Sequence, residues 1–166
     1  MTPRSSWHAD SPLALEAARA LGEALNRSAL DPRLGELIKI RVSQLNGCAW
    51  CLHMHVLDAT RMGESDLRLH MLAGWRESPL FDEAERAALA WAESLTRLGP
   101  DAAPDPEWEA LRRWFSPAEI AELTFLVGAM NLYNRLNVAY RTPHPASAAE
   151  IAANRPADRR PRDAAA

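Results

Sequence analysis

Residues 35–65 read GELIKIRVSQLNGCAWCLHMHVLDATRMGES, and the way this stretch divides decides the fold. Leu37, Ile38, Ile40, Val42 and Leu45, with Leu34 before them, wrap most of one helical circumference. A second helix is predicted to begin near Gly47 or Cys48 and to run to about Met62, where Gly63 stops it. The stretch therefore reads as two consecutive helices.

Helix signals continue on both sides. Ser11-Pro12 and Asp31-Pro32 each place a cap before a proline at the first helical position. They open LALEAARALGEALNR and RLGELIKIRVSQL. Downstream, Ser65 can cap DLRLHMLAGW. The next helix is DEAERAALAWAESLTRL, ended by Gly99-Pro100, and Pro106 starts EWEALRRWF. Ser116-Pro117 starts the longest helix, AEIAELTFLVGAMNLYNRLNVAY. No segment shows convincing strand alternation, so an all-α bundle of about six to seven helices is predicted.

The chain has 166 residues, one domain's worth, and 48% of them are hydrophobic, enough for a sizeable core. The expected division is a flexible start at 1–10, a helical domain at 11–143 and a tail at 144–166. From Thr142 onward Pro, Ala and charge replace large apolar groups. Such a tail is expected to be disordered or to pack weakly on a neighbouring subunit. A net charge of -3 argues against nucleic acid, and the short RRPR of the tail does not change that. Met1 to Pro12 lacks an apolar signal region, and the run Ile120 to Tyr133 is too short to cross a bilayer. A soluble, cytoplasmic protein is expected. In that reducing compartment a close cysteine pair is more often catalytic or metal-binding than a permanent staple.

Cys48 and Cys51 are the chain's two cysteines, and His55 follows four positions after the second. At about 100° per residue, Cys51 falls near -60° and His55 near -20° relative to Cys48, so the three share one stripe. His53 and Trp50 fall on other faces. A thiol at a helix N-terminus is acidified by unpaired N–H groups and the helix dipole. An imidazole one turn on can take or relay the proton, and a thiol three positions away can resolve an oxidised partner. Glu36, on a largely apolar helix, needs a partner; a nearby imidazole would complete a Glu-His-Cys relay. The competing readings are two buried structural cysteines, a zinc site built from Cys48, Cys51, His55 and Glu36, and a salt bridge from Glu36 to Arg41 or Arg135. Trp50, Trp75, Trp91, Trp108 and Trp114 read as core or subunit-contact residues. Asn131, Asn134, Arg135 and Asn137 form a polar set on an apolar helix, read as hydrogen bonding within the bundle or between subunits.

Gly35 to Ser65 closely resembles the signature of alkylhydroperoxidase D-like proteins in the carboxymuconolactone decarboxylase superfamily. The elements are Glu36, RVSQLNGC, the CxxC of Cys48 and Cys51, and His55, followed by Asp58-Ala59. MNLYNRLNVAYRTPH, Met130 to His144, is similar to the single-domain branch. The resemblance implies an all-α fold assembled into homotrimers or homohexamers, and a thiol-dependent peroxidase that needs no cofactor. It implies that Cys51 attacks a hydroperoxide and becomes a sulfenic acid. Cys48 then resolves it and takes part in proton transfer, His55 and Glu36 relay protons, and an external dithiol of the thioredoxin or lipoyl type restores the pair. Helix position alone would instead favour Cys48 as the more acidic thiol. Better-known members carry a histidine just before the second cysteine, where this chain has Trp50. The rival functions are a non-redox lactone decarboxylase, whose members typically lack the cysteine pair, and a redox-sensing or metal-binding oligomer.

Overall fold

The computed structural model describes residues 2–154. Those residues form nine α-helices and no strand. They are α1 (Trp7–Asp10), α2 (Pro12–Asn26), α3 (Pro32–Asn46), α4 (Ala49–Arg61) and α5 (Asp66–Met71), then a 3-10 turn at Leu72–Gly74. After it come α6 (Glu83–Thr96), α7 (Asp105–Arg112), α8 (Pro117–Tyr140) and α9 (Ala148–Asn154). Helices α2 to α8 are the seven expected from the caps and prolines. None of the described helices is long and apolar enough to cross a membrane.

Local chemistry starts several of these helices. The Asp31 carboxylate accepts from the N–H groups of Arg33 and Leu34 ahead of α3. Asp82 with Glu85, and Ser116 with Glu119, close reciprocal capping boxes at α6 and α8. Gly47 ends α3 at φ 67°, a left-handed position that suits glycine, and so turns the chain into Cys48.

α3 is the hub, packed against α4, α6 and α8. Leu37, Ile38, Ile40 and Val42 are fully enclosed, with Leu72, Leu89, Leu111, Leu123 and Val127 around them. Because α3 is covered from three sides, its apolar residues occupy most of its circumference. A polar ladder crosses the same packing. Asn46 Nδ2 donates to Asn131 and Asn134, Asn134 Nδ2 to Ser43 Oγ, and the Ser43 hydroxyl to the Lys39 carbonyl. These bonds fix the register of α8 against α3.

Both ends of the described chain make contacts with the bundle. The Arg4 N–H donates to the Tyr140 carbonyl and the Arg4 guanidinium to the Ala139 carbonyl. Trp7 is buried and stacks on His8. Ring burial and contact with the end of α8 seat this segment against the bundle. At the other end, α9 is largely exposed, and Glu150 lies 3.8 Å from His53. Of the tail expected at 144–166, residues 155–166 lie outside the described residues.

Candidate active site

Cys48 is the N-cap of α4 rather than its first helical residue: its φ and ψ are -88° and 93°. Its Sγ accepts the Cys51 N–H at 3.4 Å, as a capping side chain does. Cys51 sits in the first turn, and the two sulfur atoms are 2.6 Å apart. Both are free thiols, 2% and 1% exposed.

This contact splits the two acidities. Cys48 is drawn down to about 7, first by the hydrogen bond from the Cys51 thiol. Burial opposes that, while the N–H groups of Cys51 and Trp50 and the Asn134 amide assist. Cys51 is pushed up, first by the same contact with Cys48 and then by burial; the Asn137 amide, 3.4 Å from its sulfur, works the other way. The pair thus holds one shared proton near neutrality and titrates as a unit.

The second half of the site comes from α3. Glu36 is only 4% exposed and presents both oxygens to donors. Oε2 lies 2.9 Å from His55 Nδ1, and Oε1 accepts from Lys39 Nζ at 2.5 Å. Burial would raise the Glu36 pKa, but the hydrogen bonds from His55 and Lys39 and the Lys39 charge outweigh it, so the carboxyl is held below its usual range. An ionised carboxylate can only accept, so Nδ1 carries the hydrogen and Nε2 of the neutral ring keeps its lone pair.

Cys51 and His55 line one cleft of about 330 Å³, with Trp7, Trp50, Met54, Met130, Tyr133 and Asn137 on its walls. Cys48 opens instead onto a separate cleft beside Trp50, Arg141, Thr142 and His144. His55 also borders a third, with Glu36, Lys39 and Asp58. The imidazole therefore stands between the Cys51 cleft and a polar exit. Among the described residues no hydrogen bond joins His55 to either sulfur; they share a cleft rather than a direct contact.

The predicted residues Glu36, Cys48, Cys51 and His55 are thus brought to one place. Glu36 pairs with His55 and Lys39, not with Arg41, which binds Glu93, nor with Arg135, which binds Asn131. The group able to ligate a metal is Glu36, His55 and Asp58, whose ligand atoms lie within 4.8 Å of one another; the thiols stand outside it. Lys39 already occupies Glu36, which disfavours a cation there. Trp50 is half-buried and walls both thiol clefts instead of facing away from them. Trp75 and Trp91 are buried, whereas Trp108 and Trp114 are exposed. Sequence reasoning gave Lys39 and Trp7 no place at the site and named Asp58 only as part of the family signature. Lys39 carried a usable signal, as a lone lysine one helical turn after Glu36.

The sequence pattern of the carboxymuconolactone decarboxylase family matches residues 12–94. The uncharacterized protein YdfG of Bacillus subtilis (strain 168) is 32% identical over 139 residues, which are 84% of this chain and 95% of YdfG. A solved structure from Agrobacterium tumefaciens, of unknown function and named a candidate antioxidant defence protein AhpD, superposes with a TM-score of 0.84 at 39% identity. It covers 88% of this chain and 100% of that one. The debrominase Bmp8 shares the fold at 23% identity and a TM-score of 0.74, over 87% of this chain and 76% of its own. The helical arrangement is the AhpD-like fold.

Proposed function

We propose that this chain, which belongs to the carboxymuconolactone decarboxylase family, is a thiol-dependent peroxidase that reduces organic hydroperoxides through a Cys48–Cys51 dithiol cycle. The observation that carries this reading is the buried thiol pair in direct sulfur-to-sulfur contact, with a Glu36-anchored imidazole in the cleft on the Cys51 side of it. The antioxidant description of the Agrobacterium relative agrees with it.

The reaction runs as follows. His55 Nε2 takes one proton from the pair, which keeps the other. The shared proton moves to Cys48, leaving the thiolate on Cys51, the sulfur that lines the cleft with His55. Cys51 attacks the terminal peroxide oxygen: an S–O bond forms, the O–O bond breaks, and the departing alkoxide takes the proton from His55. Cys48 then gives its proton to His55 and attacks the Cys51 sulfenic acid. The S–S bond forms, and hydroxide leaves with the His55 proton as water. The balance is one hydroperoxide and two thiols to one alcohol, one water and one disulfide. Glu36, itself held by Lys39, keeps the imidazole oriented and stabilises its protonated form. The acidity of Cys48 suits it to resolving, since its thiolate re-forms near neutral pH. An external dithiol reduces the disulfide, and the Cys48 cleft offers it an approach separate from that of the hydroperoxide.

The test is turnover of an organic hydroperoxide coupled to a dithiol reductant. Cys51→Ser should abolish it. Cys48→Ser should stall as a sulfenic acid trapped by a 1,3-dione. Undiminished turnover in Cys51→Ser would refute the cycle.

A further inference from the structure

Asn137 touches the thiol pair yet has no part in the relay. It lies on α8, 6% exposed, and its Nδ2 donates to Cys51 Sγ at 3.4 Å. Its Oδ1 is enclosed and has no hydrogen-bond partner among the described residues. Buried side-chain amides normally bond through both ends, so an idle carbonyl oxygen beside a reactive sulfur calls for a ligand. The neighbouring Asn134 shows the contrast: its oxygen accepts from Asn46 and its nitrogen donates to Ser43. Asn137 also lines the cleft that Cys51 shares with His55.

We propose that Asn137 is a substrate-positioning residue: its Oδ1 accepts the O–H of the bound hydroperoxide while its Nδ2 steadies the Cys51 thiolate. The inference rests on the peroxidase reading above. A hydroperoxide has one donor, the O–H on its terminal oxygen, and that oxygen is the one attacked. During attack the S–O bond forms, the O–O bond breaks and the alkoxide is protonated by His55. The hydrogen stays on the transferred oxygen. An acceptor on that hydrogen is therefore satisfied from bound substrate through to sulfenic acid, and it aims the terminal oxygen rather than the alkyl-bearing one at sulfur. A leucine, with the same branching at Cγ, would place apolar atoms there without an idle oxygen.

The test separates recognition of the O–H from thiol reactivity in general. In a Cys48→Ser background, the rate constants of Cys51 with cumene hydroperoxide and with iodoacetamide, which presents no O–H at its reacting carbon, are measured across pH. Asn137→Ala and Asn137→Leu should slow the hydroperoxide reaction at least about tenfold more than the alkylation. The leucine variant keeps the comparison readable if alanine loosens the bundle. Equal falls in both rates, or no fall in either, would overturn the role of Asn137 alone. A background protein with Asn137 intact that is alkylated but never oxidised by hydroperoxide would instead overturn the peroxidase reading, and this inference with it.

Discussion

At the scale of residues, a single shared proton governs the thiols. Cys48 is lowered from 9.0 to about 7, so the pair is protonated below that pH and monoanionic above it. Alkylation and hydroperoxide oxidation should both rise as pH increases through about 7, followed by thiolate absorbance and rate together. In Cys51→Ala the thiol donor is lost, and the Cys48 midpoint should move back up; an unmoved midpoint would mean that the cap N–H groups alone set it. Glu36→Gln keeps the size of the side chain but removes the charge that holds the imidazolium. Its oxidation by hydroperoxide should slow ~10²–10⁴-fold, with little change in the alkylation of Cys48. Four site residues were legible because CxxCxxxH at helical spacing, with an acid on an apolar helix, is a chemical pattern within a short stretch. Asn137 was legible only as a polar oddity on α8. Its partner is 86 residues away, and no local periodicity reports which sulfur a distant helix will meet.

At the scale of elements, the turn between α3 and α4 sets the geometry of the site. Gly47 at φ 67° lets the chain reverse so that Cys48 caps α4 with its own sulfur. A Cβ there meets nothing within 4 Å, so the cost of Gly47→Ala is one of backbone conformation, on the order of 1–2 kcal/mol. Urea denaturation should show that loss, with the Cys48 midpoint shifted as the cap relaxes. Leu37→Ala, at the centre of the α3 packing, should cost about 2–5 kcal/mol because three helices close around it. The seven main helices could be read from caps, prolines and apolar spacing because those signals are local. α1 could not: four residues have no helical preference of their own, and Trp7 is held by contacts with Tyr133 of the distant α8. Cys48 was placed inside a helix because periodicity cannot distinguish a cap from a first helical position.

At the scale of the whole molecule, α8 packs against α2, α3, α4, α6 and α7 yet still leaves large apolar side chains open to solvent. Phe125 is 61% exposed, and Leu132 and Trp108 are also open, around an apolar hollow they share with Leu21 and Gly128. Such a patch suits a second copy of the chain, in line with the homotrimer or homohexamer that the family resemblance implies. Sedimentation should find an oligomer, and Phe125→Asp should shift it toward monomer; a monomeric native chain would contradict that assembly. The central claim is the dithiol cycle, and single-turnover intact mass tests it most directly. Reduced protein is mixed with one equivalent of an organic hydroperoxide, and thiols are counted over seconds to minutes. The account predicts loss of both thiols and a mass lower by about two hydrogens, the mark of a Cys48–Cys51 disulfide. Two thiols retained at unchanged mass would contradict it.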